Sequence, residues 1–307
     1  MKSKILPTVM LASTLTLSIT LIFSSYLSGD ISVPGEKPIS ITAINASVGP
    51  PITVSKSYFP TPADTFFILV IGNDYRPGVG GKRADAIHLV GVNTKEKRAS
   101  IINFPRDTNV AIPGHGKNKI NAANAYGGSA LTTQTVSELV GVSISYVMEV
   151  DFAGFTGLVD DLGGLDVPVE KPMHDKNSGT NFNPGVMHMN GSQALAFARD
   201  RYSFSNGDIS RTHNQGILLV SALRQMLTNK NEIPSKFESA SFIAKNVALT
   251  NITVRDIYLL MELAKSVIPD HVSNVTVPWS GSNTLAPSAN DLFADFKDNA
   301  IIDTYGR

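Results

Sequence analysis

The chain has 307 residues, 42% of them hydrophobic and 17% charged, which suits one large globular domain with an appendage. Lys plus Arg and Asp plus Glu stand at 26 each, so no global field draws the chain to nucleic acid. Cysteine is absent, which excludes disulfides, a thiol nucleophile and a Cys-ligated metal.

At the N-terminus, Lys2 and Lys4 precede an apolar run from Val9 to Leu27 that contains no charge. As a helix this run spans roughly 28 Å, close to the hydrocarbon thickness of a bilayer. Lysines before it and no basic residues just after it predict a cytoplasmic N-terminus. A cleaved signal peptide is the competing reading, but its apolar core is usually shorter, and Ser24 to Gly29 offers no clear Ala-x-Ala site. Either way the remainder lies outside the cytoplasm. The expected organisation is a cytoplasmic stretch 1–8, a transmembrane anchor 9–28, a Pro/Ser/Thr/Gly-rich linker 29–63 with a short strand near Ile39 to Ile44, and one domain over 64–307.

From Phe66 the pattern changes. Phe66 to Ile71, Ala86 to Val92 and Ala99 to Phe104 are short β-rich runs between turn residues and predict strands. Leu131 to Leu139 has helical spacing and stops at Gly141. Ile144 to Val150 predicts a strand, Phe152 to Leu162 a helix closed by Gly163 and Gly164, and Leu165 to Val169 another strand. Helices follow at Ser192 to Ala198, at Asp208 to Leu227 and from Thr253, where Asp256 forms a weak capping box. A strand at Val275 to Pro278 and a helix at Asn290 to Phe296 complete the tail. This alternation predicts an α/β fold, a central sheet sandwiched between helices, with no repeat and no second domain.

Four clusters carry the chemistry. Gly72-Asn73-Asp74 follows one strand and Arg83-Ala84-Asp85 precedes the next, so Asp74 and Asp85 can converge on a hard cation; Asp beside strands is equally ordinary turn chemistry. Phe104-Pro105-Arg106-Asp107 puts an arginine at the rim where α/β sheets bind ligands, or an ordinary surface ion pair. Lys119-Ile120-Asn121-Ala122, with Tyr126-Gly127-Gly128 after it, offers a lysine and helix-start amides to a phosphate, although a solvated lysine is the blander reading.

The fourth cluster is the most informative. Asp208, Arg211 and Gln215 fall at i, i+3 and i+7, so one helix face presents carboxylate, guanidinium and amide together. Leu218 and Ala222 continue that stripe into apolar packing. Arg199 and Arg201 add donors that suit phosphate oxygens bidentately. His115, His174, His188, His213 and His271 show no paired metal-ligand spacing, and the Met and Phe residues at helical spacing read as core.

In combination, the phrases FFILVIGND, RADAIHLVGVN, IINFPRDTNVAIPGHGKNKINAANAYGG, VDDLGGLDVPV and MNGSQALAFARDRYSFSNGDISRTHNQ, in that order, resemble the LytR-CpsA-Psr family from Phe66 to the C-terminal end. The resemblance implies an α/β domain with a mixed central sheet that holds a polyprenyl chain in an apolar lipid-binding tunnel. Its pyrophosphate lies at the mouth, with arginines and Mg2+ (or Mn2+) around it. By residue, Asp74 and Asp85 match the family's metal-binding aspartates. Arg83, Arg106, Arg199, Arg201 and Arg211 match positions lining the pyrophosphate, with Gln215 beside them. Asp107 and Asp208 match family acids, either of which is a candidate general base or an orienter of an arginine. Three departures stand out: Ala84 where serine is usual, His88 where an apolar residue is common, and Asp200 between two arginines, where it can offset their charge.

The implied reaction is phosphoglycosyl transfer, in which a peptidoglycan hydroxyl attacks the phosphorus next to a polyprenyl-pyrophosphate-linked glycopolymer and polyprenyl phosphate leaves. The expected partners are that lipid-linked polymer, peptidoglycan and the membrane. Hydrolysis of the pyrophosphate by water is an alternative, as is a non-catalytic lipid carrier, which has little need of so much charge. An outward-facing domain of zero net charge excludes DNA contact.

Overall fold

The computed structural model describes residues 64–73, 83–228, 248–249, 266–281 and 283–302. The expected anchor and linker, Asp74, and the helix from Thr253 lie outside the described residues. Among those described, no helix is long and apolar enough to cross a membrane.

Three consecutive strands form the centre: β1 (Thr65–Asn73), β2 (Ala84–Asn93) and β3 (Arg98–Asn103). They pair antiparallel, with a bulge at Asp85 of β2, which is skipped where Gly72 and Asn73 pair with Ala86 and Ala84. A hairpin of β4 (Asn109–Ile112) and β5 (Gly116–Lys119) then leads into α1 (Ala122–Val140). Helix α1 begins earlier than its apolar spacing suggested and is interrupted by non-helical backbone at Gly127 and Gly128. It stops where expected, at Gly141, whose φ of 77° is the left-handed conformation that glycine adopts without Cβ strain.

Strand β6 (Tyr146–Asp151) passes directly into α2 (Phe152–Asp161), which is capped by the Asp151 carboxylate accepting from Gly154 N at 2.7 Å. Strand β7 (Leu165–Val169) has the predicted bounds and pairs with β10 (Gly185–Met189). Between them lies a short hairpin, β8 (Met173–Asp175) and β9 (Thr180–Phe182), which the sequence pattern did not reveal. Helix α3 (Gly191–Arg199) opens on a capping box of Asn190 and Gln193. Helix α4 (Asp208–Thr228) follows, then β11 (Ala248–Leu249). The tail strand is β12 (Val272–Thr276), three residues earlier at its start than the expected Val275 to Pro278. A small hairpin, β13 (Trp279–Ser280) with β14 (Thr284–Leu285), precedes the last helix, α5 (Ser288–Asn299).

The six-stranded sheet runs β11-β6-β1-β2-β3-β12 and is mixed, since β1–β6 and β3–β12 pair parallel. Strand alternation sends Phe67, Leu69 and Ile71 of β1 into a core shared with α1 and α5. Phe296 of α5 packs against Phe67 in a tilted arrangement, with ring centroids 5.3 Å apart. The opposite face of the sheet receives α4, together with α2 and α3. There the residues between, such as Phe66 and Val70, are only half-buried.

Helix α4 approaches the sheet over a polar cluster. Asn103 Nδ2 donates to Asn274 Oδ1 at 2.6 Å and to Val275 O at 3.0 Å, while Asn103 Oδ1 meets His88 Nδ1 at 2.7 Å. Gly216 of α4 sits on this cluster. A Cβ there would come within 2.1 Å of Asn274 Oδ1 and 2.6 Å of the Asn103 amide. Gly216→Ala is therefore expected to lower stability by about 1–3 kcal/mol through overpacking, read from the urea midpoint. A midpoint equal to that of the parent chain would refute this close approach.

Candidate active site

Two adjoining cavities occupy the sheet face under α2, α3 and α4. The first, about 230 Å3, is apolar. Val70, Met148 and Val150 from the sheet form one wall; Phe155, Leu158 and Leu195 from α2 and α3 with Leu218, Ala222 and Met226 from α4 form the other. The half-burial of Val70 is therefore exposure to this cavity. The second cavity, also about 230 Å3, is polar, lined by Asp85, Arg106, Arg199, Arg201, Arg211 and Gln215 among others. Asp85, Phe152, Ala198, Arg199 and Gln215 line both, so the two cavities adjoin.

The arginines reach the polar cavity from four separate places. Arg106 stands on a tight turn after β3, closed by Thr108, whose N–H and Oγ1 both donate to Pro105 O at 3.0 and 2.7 Å. Arg199 ends α3 and lies over the Phe152 ring, 5.2 Å from its centroid, a cation–π contact. Arg201 follows the extended residue Asp200. Arg211 lies one turn into α4 and is only 6% exposed.

Asp208, the first residue of α4, is their hub. Its Oδ1 lies 2.6 Å from Arg211 Nη2, 3.4 Å from Arg201 Nη2 and 3.5 Å from Arg106 Nε. Arg106 Nη1 also pairs with Asp85 Oδ1, and Arg211 Nη2 donates to Asp85 O at 3.4 Å. The 2.6 Å pair is close but out of line for a hydrogen bond: both Asp208 oxygens, Arg106 Nε and Arg211 Nε are buried without a hydrogen-bond partner among the described residues. Gln215 Oε1 is in the same condition, although its Nε2 donates to Ala198 O at 3.2 Å. Buried groups of this kind ordinarily have partners, so a concentration of orphans beside a cavity marks a ligand's place.

Electrostatics in the cluster are set by burial and by neighbours. Burial opposes the Arg106 charge, yet Asp85 and Asp208 hold its pKa above the ordinary arginine value. For Arg211, burial pushes the pKa down and Asp208 supports the charge, while Arg106 and Arg201 oppose it. Both remain guanidiniums at any working pH. Arg106, Arg199, Arg201 and Arg211 against Asp85, Asp175 and Asp208 leave one surplus positive charge, the sign that suits a diphosphate.

His88 faces the apolar cavity, where burial, joined by Arg211 and opposed by the Asn103 hydrogen bond, pushes its pKa down to about 4. A neutral imidazole there substitutes for the apolar residue the resemblance led one to expect. Asp200 is turned away from the arginines. It is fully buried and accepts from Thr180 Oγ1 at 2.5 Å and from Ser203 N and Oγ at 3.0 and 2.7 Å. It ties a loop to a hairpin and does not offset the cavity's charge through side-chain contact.

Of the residues singled out from the sequence, the structure brings together Asp85, Arg106, Arg199, Arg201, Asp208, Arg211 and Gln215. Arg83 is exposed and lines neither cavity. Lys119 ends β5 and pairs with Asp107 at 3.0 Å, behind the Arg106 turn. Asn121 N donates to Arg106 O at 3.2 Å, so this segment braces that turn from beneath. Sequence reasoning missed Phe152 and the hairpin residues Asp175, Asn177 and Ser178, all on the polar cavity wall. Burial pushes the Asp175 carboxyl up, but hydrogen bonds from Asn177, Ser178 and Arg201 outweigh this and hold its pKa below the ordinary value. The Asn-Ser-Gly string was a legible turn signal, though not its position.

These features define an α/β protein with a cationic pocket at the mouth of an apolar cavity. The LytR_cpsA_psr family matches residues 39–299, most of the chain, and the protein belongs to that family. TagU of Bacillus anthracis, named as a polyisoprenyl-teichoic acid–peptidoglycan teichoic acid transferase, is 32% identical over 251 residues, 80% of this chain and 77% of its own. TagV of B. subtilis superposes with a TM-score of 0.64 at 26% identity, covering 76% of this chain and 96% of its own. TagT bound to LI-WTA shares the fold, with a TM-score of 0.64 at 24% identity over 82% of this chain and 98% of its own.

Proposed function

We propose that this chain transfers a glycopolymer from polyprenyl pyrophosphate to a peptidoglycan hydroxyl, releasing polyprenyl phosphate. The observation that carries the reading is the pair of orphaned donors, Arg106 Nε and Arg211 Nε, beside a polar cavity that adjoins an apolar one. Only an amphiphile with an anionic head fills both at once. The relatives named as teichoic acid transferases favour a teichoic-acid-like polymer as cargo.

In this reading the prenyl chain enters between α2, α4 and the sheet, and the diphosphate meets Arg106, Arg199, Arg201 and Arg211. Charge building on the phosphoryl oxygens is met by guanidiniums already held in place by Asp85 and Asp208. The acceptor oxygen bonds to the phosphorus next to the glycan, and the bridging P–O bond breaks with its electron pair going to polyprenyl phosphate. The hydroxyl proton leaves on that phosphate. Asp107 is engaged by Lys119, and Asp208 serves to orient three arginines.

Magnesium fits this setting. The Asp85 carboxylate is a hard oxygen donor on the cavity wall, partly open at 26% side-chain exposure. Among the described residues no three acidic or histidine side chains converge, so phosphate oxygens and water would complete the ion's shell. We assign it to Asp74 and Asp85, where the bound ion would supply further neutralisation of the leaving phosphate. Asp74→Ala is expected to abolish activity and magnesium dependence together, followed by titrating Mg2+ into chelated enzyme. Unchanged dependence in the variant would remove Asp74 from the site.

The apolar N-terminal run serves as an uncleaved anchor, holding an extracytoplasmic domain at the bilayer surface where its lipid substrate is confined. The direct test incubates the full chain in detergent with polyprenyl-diphosphate-linked glycopolymer, Mg2+ and peptidoglycan, then analyses the products. Polymer covalently joined to peptidoglycan is the expected result. Polymer phosphate released equally with and without acceptor would identify a hydrolase and overturn the proposal.

A further inference from the structure

The hairpin β8–β9 and the loop after α3 join Arg106 and Arg211 in the part of the polar cavity wall that the apolar cavity does not share. Asn177, Ser178 and Tyr202 lie there, with Asp175 beneath. Tyr202 is 74% exposed, a large aromatic side chain held in water. Its backbone is nevertheless pinned on both sides. Asp200 is buried and receives Thr180 Oγ1 of β9 at 2.5 Å, and Ser203 donates to Asp200 and accepts from His174 N at 2.8 Å. On the hairpin side, Asp175 Oδ1 accepts from Asn177 N at 2.8 Å, and Ser178 Oγ lies 3.2 Å from Thr180 Oγ1. A ring exposed by a preorganised loop, flanked by an exposed amide and a hydroxyl, is the chemistry of carbohydrate recognition. The ring receives the apolar face of a pyranose and the flanking groups receive its hydroxyls.

We propose that Tyr202, Asn177 and Ser178 form the subsite for the sugar ring of the acceptor that carries the attacking hydroxyl. This deepens the transfer reading above and rests on it. In-line displacement at phosphorus requires nucleophile and leaving group on opposite sides. The leaving polyprenyl phosphate departs toward the apolar cavity, past Phe152 and Ala198, which line both cavities. The acceptor therefore arrives from a wall that the apolar cavity does not share, and on that wall the hairpin and Tyr202 carry the uncharged groups suited to a sugar. The reaction is unaltered by this assignment: the acceptor hydroxyl oxygen bonds to phosphorus, the bridging bond breaks, and the proton leaves with the phosphate.

The test uses the full chain, a polyprenyl-diphosphate-linked disaccharide as donor and an uncrosslinked peptidoglycan glycan strand as acceptor, varying each in turn. Tyr202→Ala is expected to raise the acceptor KM about tenfold or more while the donor KM is unaltered. Tyr202→Phe, which keeps the ring face, is expected to restore most of the loss. Thermal unfolding of the alanine variant at the parent temperature shows that the loop still stands. An unchanged acceptor KM overturns the subsite and leaves the transfer reading intact. A rise in donor KM assigns the wall to the donor glycan and overturns it as well. Absence of transfer by the parent chain removes the transfer reading and this inference with it.

Discussion

Arg106→Ala is expected to lower the rate of transfer by about 10²–10³-fold, the loss typical of one preplaced donor at a developing oxyanion. The side chain stands on a turn closed by Thr108 and is 24% exposed, and its guanidinium holds Asp85 while facing Asp208. Removing it leaves Asp208 paired with Arg211 at 2.6 Å and Arg201 at 3.4 Å, so no buried carboxylate is stranded. Near-parent unfolding temperature should accompany the lost rate. Arg106→Lys should rescue little, because an ammonium is a point charge and cannot present a fork toward Asp85, Asp208 and a phosphate together. Single-turnover kinetics on lipid-linked donor measure this directly. Parent-like turnover in Arg106→Ala would defeat the site, since no other described residue links Asp85 to Asp208 by side-chain ion pairs.

Ala222→Trp tests the other half of the pocket. Ala222 lies on α4 in the wall of the apolar cavity, two turns beyond Gln215 and opposite Val70 and Met148 of the sheet. An indole at that position fills much of a 230 Å3 void without displacing close-packed atoms, so stability is expected to hold or rise through new dispersion contacts. A prenyl chain and the indole cannot share the space. The variant should therefore lose polyprenyl lipid on extraction and lose transfer, with both arms read by mass spectrometry and product analysis. Retention of lipid and activity at parent levels would show that the prenyl chain lies elsewhere.

Much of the central sheet was legible because its signal is local. The short β-rich runs from Phe66 onward mark β1 to β3, and outside that sheet Leu165 to Val169 marks β7 to the residue. The polar stripe Asp208, Arg211, Gln215 follows from the helical period alone, and its apolar continuation through Leu218 and Ala222 does flank a cavity. The short hairpins were not legible: strands of two or three residues carry too few alternations to rise above loop composition. Lys119 and Asn121 had the composition of a phosphate site, but the end of β5 and the start of α1 place them against the Arg106 turn, where they pair with Asp107 and donate to Arg106 O. Asp200, next to two arginines in sequence, points away from them because its carboxylate is needed to join Ser203 to Thr180.

The sequence by itself determined the family, the α/β alternation, the chemistry of the arginine-rich helix start and the apolar run that can span a bilayer, because each depends on residue type and short-range period. The tertiary structure alone decided which charges meet. Arg106 and Arg211 are 105 positions apart, and only the crossing of α4 over the sheet places both on Asp208. It also decided where the α4 face of the sheet is filled and where it is hollow. Val220 and Leu227 of α4 pack on Val92, Ala99 and Ile101, while Val70 and Met148 face the cavity instead, a difference that no one strand's own pattern carries.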